Sequence, residues 1–272
     1  MHIVNITEQE FWQIVNLLKD SYGINLSQKK NLIVGRLQNH LGKNGYTSFS
    51  DFYEDVMNDK SGELITLLIN TLTTNYTYFL REVEHYDYFT STVLPYITST
   101  EKNKDMRIWS AGCSSGEEAY TIAMYVDDYF KRNKGGWDTK ILATDISQRV
   151  LSLAAEGIYL NEGLEPLKPA WRAQYFTMVD GARSQVIEQL RRDVIFRKFN
   201  LMEKFFPFKK KFHIIWCRNV MIYFDLKTKT ELVERFYDAT EQGGYLFIGH
   251  SESIARGDTR YRYVMPAIYK KE

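Results

Sequence analysis

The spacing of apolar residues changes about 105 residues into the chain, and this change limits the fold more than any other feature. Up to about residue 72, apolar side chains recur every three or four positions, which places them on one face of a helix. From about residue 105, short apolar runs alternate with amphipathic stretches. Such alternation is typical of a mostly parallel, doubly wound sheet covered by helices. The sequence therefore predicts an α/β protein that begins with a small all-helical domain.

Helix signals in the first part support this division. Thr7 and Ser27 are placed to cap two helices, and Gly23 can end the first of them in a left-handed conformation. Ser48 or Ser50 can cap a third helix, and a fourth is expected from Glu63 to Leu72. With no strand pattern in this part, a helical bundle is the simplest arrangement.

The second part contains seven predicted strands. They are Met106–Ser110, Lys140–Thr144, Val194–Phe199, Phe212–Cys217, Gly244–Gly249, and a final hairpin of Tyr261–Val264 and Ala267–Lys270. Residues 157–193 fit the alternation least well, so an inserted subdomain or a long excursion is expected there. We expect domains at 1–72 and 73–272, with 73–94 as a linker that lines the site and about 160–193 as the inserted subdomain.

Composition excludes several classes of protein. The formal net charge is only +1, whereas a nucleic-acid-binding domain is usually basic throughout. No apolar run approaches the roughly 18–20 residues of a membrane helix, and the start lacks a signal-peptide pattern. The two cysteines, Cys113 and Cys217, form no metal-binding or disulfide pattern. A cytoplasmic, monomeric protein without a metal, without nucleic acid and without direct membrane insertion is expected.

The first strand is followed by a loop of small residues and then by two glutamates, Glu117 and Glu118. Small residues allow a ligand to approach the backbone, and the amides at a helix N-terminus can bind anions. Two carboxylates there would repel a pyrophosphate, so they favour a ligand with hydroxyls or positive charge, such as S-adenosylmethionine. The alternative is that both glutamates only complement the helix dipole.

Polar residues also follow two other strands. Asp145 can accept hydrogen bonds from ribose hydroxyls, or it can form a turn and cap with Ser147. Asn219 follows the strand that ends at Cys217, where ligands of open α/β sheets bind, and Tyr223 follows four residues later. The alternative for Asn219 and Tyr223 is a structural turn. Together with the first loop, Asp145 favours a nucleoside-containing cofactor.

The junction between the two parts is rich in short hydrogen-bonding side chains. It runs from Thr73 to Glu82 and contains one arginine, Arg81, which could bind a carboxylate through two hydrogen bonds. A cap on a helix from about Glu82 to Leu94 explains the same composition, and composition alone favours the cap.

Taken together, these motifs resemble the chemotaxis receptor methyltransferases, the CheR-type protein-glutamate O-methyltransferases. The blocks occur in the family's order and span about residues 29–269. They are Thr74-Asn75-x-Thr77-x-Phe79-x-Arg81-Glu82, Trp109 to Tyr120, Ala143-Thr144-Asp145-Ile146, Gly157-Ile158-Tyr159, Asn200-Leu201, Cys217 to Asp225 and Gly249-His250-Ser251-Glu252-Ser253.

The resemblance implies a Rossmann-like S-adenosylmethionine-dependent methyltransferase domain, with S-adenosylhomocysteine as product. Its substrate would be glutamate side chains of chemotaxis receptors. The resemblance places Arg81 and Tyr223 nearest the methyl group, as catalytic residues. The cofactor-binding residues that it implies are Asn75, Thr77, Arg81, Gly112, Glu117, Asp145, Asn200, Leu201, Asn219 and Val220.

Other functions remain open at this point. The same cofactor fold could methylate another acidic signalling protein, a nucleic acid or a small molecule, although no Asn-Pro-Pro-Tyr or Asp-Pro-Pro-Tyr motif is present. A module that senses the cofactor without catalysis is a further alternative.

A basic stripe lies on the second predicted helix. Lys29, Arg36 and Lys43 are seven residues apart, so they fall within about 40° of one another on an ideal helix, and His40 shares their stripe. Residues 22–45 contain no Asp or Glu. This pattern suits docking of an acidic partner helix, although a solvated charged face is the simpler alternative. The resemblance favours docking of the glutamate-rich methylation helices of chemoreceptors.

The chain departs from the family pattern in three places. Leu80 stands where a second Phe is common, and Asn39 and His40 occupy part of a run that is often richer in Arg. The stretch Thr177–Arg192 looks short for the small β-subdomain that binds a tethering pentapeptide in some members. The sequence therefore predicts action without the pentapeptide tether.

Overall fold

The structure is a computed structural model that describes residues 4–74, 76–131, 134–255 and 257–272. The chain divides into two compact units. One comprises the described residues of Met1–Tyr76 together with Tyr223–Lys229, and the other comprises those of Thr77–Ile222 and Thr230–Glu272. Among the described residues, no helix is both long enough and apolar enough to cross a bilayer.

Up to residue 74, the described part of the first unit contains four helices, as the sequence predicts. They are α1 (Glu8–Tyr22), α2 (Lys30–Lys43), α3 (Phe49–Asn58) and α4 (Glu63–Leu72). Thr7 forms a capping box with Glu10, and Gly23 ends α1 with φ 72°. Ser48, rather than Ser50, caps α3. The predicted cap at Ser27 is wrong, because α2 begins at Lys30 and its N-cap residue, Lys29, makes no side-chain cap bond.

The segment Tyr223–Lys229 belongs to this helical unit although it follows it by about 150 residues in sequence. The Asn25 N–H donates to the Tyr223 carbonyl at 2.8 Å, and Lys19 forms an ion pair with Asp225 at 3.0 Å. No local pattern in the sequence signals this return of the chain.

The second unit contains most of the remaining elements. The helices are α5 (Glu84–Tyr88), α6 (Leu94–Thr100), α7 (Glu117–Tyr129), α8 (Gln148–Glu156), α9 (Pro169–Tyr175) and α10 (Glu188–Asp193), and α11 (Leu226–Ala239) begins in the first unit and continues in the second. The strands are β1 (Ile108–Ala111), β2 (Ile141–Asp145), β3 (Ile158–Leu160), β4 (Phe176–Met178), β5 (Arg183–Val186), β6 (Val194–Lys198), β7 (Phe212–Cys217), β8 (Thr240–Ile248), β9 (Arg262–Met265) and β10 (Ile268–Lys270).

Seven strands form one sheet in the order β6-β2-β1-β7-β8-β10-β9. The first five strands in this order are parallel, and β10 is antiparallel to both of its neighbours. The strand order reverses between β1 and β7, and ligands of such sheets bind beyond the carboxyl ends of the strands at this switch point. The α/β fold predicted from the sequence is confirmed.

A helix longer than predicted precedes this sheet. The sequence suggests a helix from about Glu82 to Leu94. In the structure, α5 continues through a π-helical turn (Phe89–Val93) into α6, which runs to Thr100. Pro95 lies in the first turn of α6, where a missing donor costs little, and the π turn lets the helix continue without a break.

The inserted region contains a second sheet. Its three strands are antiparallel in the order β3-β5-β4, with Ile158 opposite Gln185 and Phe176 opposite Val186. The premise that this region is short for a small β-subdomain is therefore corrected, because a complete three-stranded sheet is present.

Candidate functional site

The loop after β1 is shaped by two glycines with positive φ, Gly112 at 89° and Gly116 at 98°. A Cβ atom on Gly112 would clash with the Val220 side chain, and one on Gly116 would lie 2.9 Å from the Cβ of Ala154. Both glycines are thus required by contacts within the protein. The sequence interpretation, that the small residues serve ligand approach, did not foresee these contacts.

Asp145, at the end of β2, ties this loop to the next one. Its carboxylate accepts the Ser114 N–H and the Ser147 N–H, both at 2.9 Å. Burial raises the pKa of Asp145, although these backbone donors act in the opposite direction. The turn-and-cap arrangement considered from the sequence is present, and the carboxylate also holds the first loop.

Glu117 begins α7 and accepts the Ser115 hydroxyl at both carboxylate oxygens, at 3.0 and 2.7 Å. Burial raises its pKa. Within the described ranges, no Lys, Arg or His nitrogen lies within 4.0 Å of the carboxylate of Glu117 or Asp145. Two desolvated carboxylates without a cationic partner suit a ligand that brings positive charge and hydroxyl donors.

The adjacent Glu118 has a different environment. It accepts the Ser110 hydroxyl at 2.7 Å and lies 3.4 Å from the guanidinium of Arg218. Burial raises the pKa of Glu118, and Arg218 opposes that shift. Among the described residues, Glu118 therefore has a cationic side chain within 4.0 Å, and Glu117 has none.

Arg218 is the buried centre of an ionic network, with a side chain that is 1% exposed. Its guanidinium lies 3.1 Å from Glu82, donates to the Tyr86 hydroxyl at 3.2 Å and donates to the Arg81 carbonyl. Burial opposes ionisation of Glu82, but the charge of Arg218 and the hydrogen bonds from His250 and Arg218 together keep the pKa of Glu82 below its usual range. The network therefore fixes the backbone at Arg81.

Two carboxylates also fix Asn219, which has φ 61°. Glu82 accepts the Asn219 amide at 3.4 Å and the His250 N–H at 3.2 Å. Glu252 is buried and accepts the Asn219 N–H at 2.9 Å and the Gly249 N–H at 2.6 Å. A left-handed conformation at a residue other than glycine costs roughly 1–3 kcal/mol unless its surroundings hold it, and these bonds do so.

Glu82, Arg218 and Glu252 were missed as site residues by the sequence analysis. All three occur in the motif blocks that carry the family resemblance, but nothing in their local spacing shows which groups they contact. Their presence in those blocks was the available signal.

One group of side chains has metal-ligand spacing among the described residues. Potential ligand atoms of Glu82, His85 and His250 lie within 4.8 Å of one another. Burial, together with the charge of Arg218, lowers the pKa of His85 to about 3. The guanidinium of Arg218 already neutralises Glu82, and its charge opposes a second cation there.

The structure brings several predicted cofactor residues together in the second unit. Gly112 and Val220 are in contact, and Glu117, Asp145 and Asn219 follow the neighbouring strands β1, β2 and β7.

The other predicted site residues lie as follows. Thr77 and Arg81 precede α5, and Arg81 lies over the Tyr78 ring at 5.8 Å. Asn200 and Leu201 follow the edge strand β6, where Asn200 accepts the Met202 N–H at 3.0 Å. Asn75 lies outside the described residues.

Tyr223 belongs to the first unit, whereas Arg81 belongs to the second. The Tyr223 hydroxyl accepts the Thr74 N–H at 2.8 Å and donates to the Thr74 carbonyl at 3.1 Å. It thereby holds the last part of the chain before the second unit begins.

The basic residues predicted for docking are not equivalent. Lys29 and Lys43 are exposed. Arg36 is also exposed, but it donates to the carbonyls of Thr71 and Thr73 at 3.2 and 3.0 Å. His40 is half-buried against the Phe52 ring at 5.3 Å, and burial lowers its pKa. His40 is therefore neutral at physiological pH and adds no charge to the stripe.

Comparison with known proteins extends these observations. Two family models match this chain: "CheR methyltransferase, all-alpha domain" over residues 9–73, and "CheR methyltransferase, SAM binding domain" over residues 75–269. The chain is 42% identical over 272 residues to the chemotaxis protein methyltransferase of Borreliella burgdorferi, covering 98% of this chain and 96% of that protein. It is 34% identical over 269 residues to the chemotaxis protein methyltransferase of Escherichia coli, covering 97% and 91%.

Solved structures show a weaker likeness. One is the glycopeptide N-methyltransferase MtfA complexed with S-adenosyl-L-methionine, at 15% identity and a TM-score of 0.33, covering 58% of this chain and 53% of that one. A likeness at this level carries no argument about function. The family models and the near full-length relatives carry the assignment.

Proposed function

Because this chain belongs to the CheR family of chemotaxis methyltransferases and contains its SAM-binding domain, we propose that it methylates glutamate carboxylates of chemotaxis receptors. The products are glutamate methyl esters and S-adenosylhomocysteine. The observation that best supports the cofactor is the pair Glu117 and Asp145, two buried carboxylates that follow the neighbouring strands β1 and β2 and have no Lys, Arg or His nitrogen within 4.0 Å among the described residues.

The donor set fits S-adenosylmethionine. The cofactor has a positively charged amino group, a positively charged sulfonium and ribose hydroxyls, and each can be bound by a carboxylate. Glu117 and Asp145 would bind the amino group and the ribose between them. Asn200, Leu201, Asn219 and Val220 would surround the adenine. No metal is part of this proposal.

The chemistry requires alignment rather than proton transfer. When bound, S-adenosylmethionine supplies an electrophilic methyl group on its sulfonium. A glutamate side chain has an ordinary pKa of about 4.3. It is therefore already ionised at neutral pH, and no general base is needed. The protein has to align the carboxylate oxygen, the methyl carbon and the sulfur, and to exclude water from the carboxylate. The oxygen–carbon bond then forms as the carbon–sulfur bond breaks.

Arg81 and Tyr223 are the proposed catalytic residues. Arg218 binds the Arg81 carbonyl and pairs with the next side chain, Glu82, so the backbone that carries the Arg81 guanidinium is fixed, as suits a group that orients a carboxylate. Tyr223 is proposed to help position the nucleophile. The role of Arg81 would be excluded if Arg81→Ala changed neither cofactor affinity nor turnover.

The proposed partners are the cytoplasmic methylation helices of chemoreceptors. Lys29, Arg36 and Lys43 on the exposed surface of α2 would bind their acidic side chains. We further propose a monomer that acts without the pentapeptide tether. Measurable binding of the pentapeptide, for example at an edge strand of the three-stranded sheet (β3 or β4), would contradict action without the tether.

The deciding experiment is transfer of labelled methyl groups to receptor-containing membranes from the same organism, followed by alkaline treatment. Label released as methanol is expected, because carboxyl methyl esters are labile in base. Arg81→Ala serves as the matched inactive control.

Other outcomes would point elsewhere. Base-stable label would mean transfer to nitrogen, carbon or another group and would exclude the glutamate assignment. Label on a different acidic protein would replace the receptor as substrate. Cofactor binding without transfer to any acidic protein would favour a sensor.

A further inference from the structure

A tyrosine of the small sheet reaches the first cofactor loop of the second unit. The hydroxyl of Tyr159, in β3, donates to the carbonyl of Ser115 at 2.6 Å. Ser115 in turn donates its own hydroxyl to the carboxylate of Glu117. Ser115 therefore links the small sheet to the carboxylate proposed to bind the cofactor: its backbone carbonyl is held by Tyr159, and its hydroxyl binds Glu117.

The loop needs such support because its backbone is strained. Ser114 has φ 49° and Gly116 has φ 98°, and a left-handed residue other than glycine is held only where its surroundings determine it. Asp145 holds the N–H of Ser114. Tyr159 holds the carbonyl of the next residue, so the two side chains secure consecutive residues of the loop.

The ring of Tyr159 is itself held in place. It packs edge-to-face on Phe79 at 4.9 Å between centroids and on Tyr120 at 6.3 Å. Burial raises the pKa of Tyr159 well above its ordinary value. The hydroxyl therefore remains protonated, and a donor, throughout the pH range in which the protein would work.

We propose that Tyr159 is a positioning residue for the cofactor: its hydroxyl fixes the Ser115 carbonyl so that Ser115 and Glu117 face the bound S-adenosylmethionine. The inference rests on the proposed function. It assigns to β3 a task in cofactor binding that is separate from any task in binding a receptor.

Tyr159→Phe tests this directly, because it removes one oxygen and keeps the ring. Loss of one such hydrogen bond corresponds to a change of roughly 3- to 10-fold in a binding constant. We expect the Kd and KM for S-adenosylmethionine to rise by that factor, while kcat and the KM for receptor stay within about twofold. Calorimetric titration gives the Kd, and methyl transfer gives the kinetic constants.

Tyr175→Phe is the matched control. Its hydroxyl is also buried, and it binds Asp127 at 3.1 Å and the Met124 carbonyl at 3.5 Å, both of them in α7 and outside the loop. This control should lower Tm without changing the affinity for S-adenosylmethionine. Equal loss of affinity in both variants, or an unchanged Kd in Tyr159→Phe, would overturn the inference.

Ser115→Ala provides a second test of the inference, because it removes the hydroxyl that binds Glu117 and keeps Tyr159. If Tyr159 acts by placing Ser115, its contribution to Glu117 passes through the Ser115 hydroxyl, so the double variant should lose less affinity than the two single losses combined. Strictly additive losses would overturn the inference. Wild-type protein that fails to bind S-adenosylmethionine would instead overturn the proposed function, together with everything that rests on it.

Discussion

At the scale of single residues, Glu117 and Glu118 show how neighbours of identical chemistry receive different tasks. Glu118 contacts Arg218 and Ser110, whereas the Glu117 carboxylate accepts the hydroxyl of Ser115. The helix-dipole explanation treats the two residues alike. The structure distinguishes them. Among the described residues, Arg218 is a cationic partner for Glu118 but no such partner contacts Glu117, so a cationic ligand can pair with Glu117.

Glu117 should make cofactor affinity depend on pH. Its pKa is raised in the free protein, and a cationic ligand favours the ionised form. Affinity for S-adenosylmethionine should therefore fall as pH falls, and the fall should begin at a higher pH than for an ordinary glutamate with a pKa of about 4.3. In Glu117→Gln the affinity at neutral pH should drop roughly 10- to 100-fold, as for loss of a charge-assisted hydrogen bond.

Calorimetric titration between pH 5 and 8 would measure both effects. The pKa of Asp145 is also raised by burial, so the variant should keep a shallower dependence on pH rather than none. Glu165→Gln, at an exposed position, is the control. A Glu117→Gln variant with the affinity and pH profile of the wild type would contradict the assignment.

At the scale of elements, α2 combines a structural and a proposed binding task. Its Arg36 binds carbonyls at the end of α4, where a helix leaves acceptors without internal partners. Reversing the charge of Arg36 would therefore disturb the helical unit as well as any docking. Lys29 and Lys43 are the better test residues for the basic stripe.

The double variant Lys29→Glu/Lys43→Glu should raise the KM for receptor roughly 3- to 10-fold, because exposed charges contribute up to about 1 kcal/mol each. Cofactor affinity should stay unchanged, and the effect should shrink at high salt. Steady-state methylation at two salt concentrations would measure this.

Lys60→Glu/Lys102→Glu changes the net charge equally at exposed positions outside α2. Equal effects of the two double variants would mean that overall charge, rather than the stripe on α2, attracts the substrate. Unchanged receptor kinetics in Lys29→Glu/Lys43→Glu would argue against docking on this helix.

At the scale of the whole molecule, the buried carboxylates of the candidate site lower the stability of the ligand-free fold. Folding desolvates Glu117 and Asp145 and raises the pKa of each. A carboxyl group whose pKa is raised in the folded state stabilises the fold when it is protonated, and this contribution is lost as pH rises through that pKa. Ionisation of the two groups therefore opposes folding until a ligand binds them.

Cofactor binding should consequently raise Tm. At a concentration of one hundred times Kd, a ligand adds about 2.7 kcal/mol to the free energy of unfolding, or roughly 5–11 °C for a domain of 150–250 residues. S-adenosylmethionine and S-adenosylhomocysteine should both produce the increase in differential scanning calorimetry. ATP is the control, since its phosphates are repelled by the carboxylates, and an equal shift with ATP would contradict the proposed site.

The sequence by itself determined the class of each part and much of the candidate site. Helical spacing, caps and glycine stops act over a few residues, so the four helices of the first unit are predictable from nearby positions. The strand-end rule for α/β sheets is equally local. It identifies Glu117, Asp145 and Asn219 as candidate site residues from their positions after strands alone.

The tertiary structure alone decided which groups those residues meet. Arg218 and Glu82 are 136 positions apart, and Tyr159 and Ser115 are 44 apart. The half-burial of His40 and the inclusion of Tyr223–Lys229 in the helical unit also depend on packing. Burial, and with it the pKa and the available partners of a side chain, is a property of the assembled core, and residue spacing along the chain does not record it.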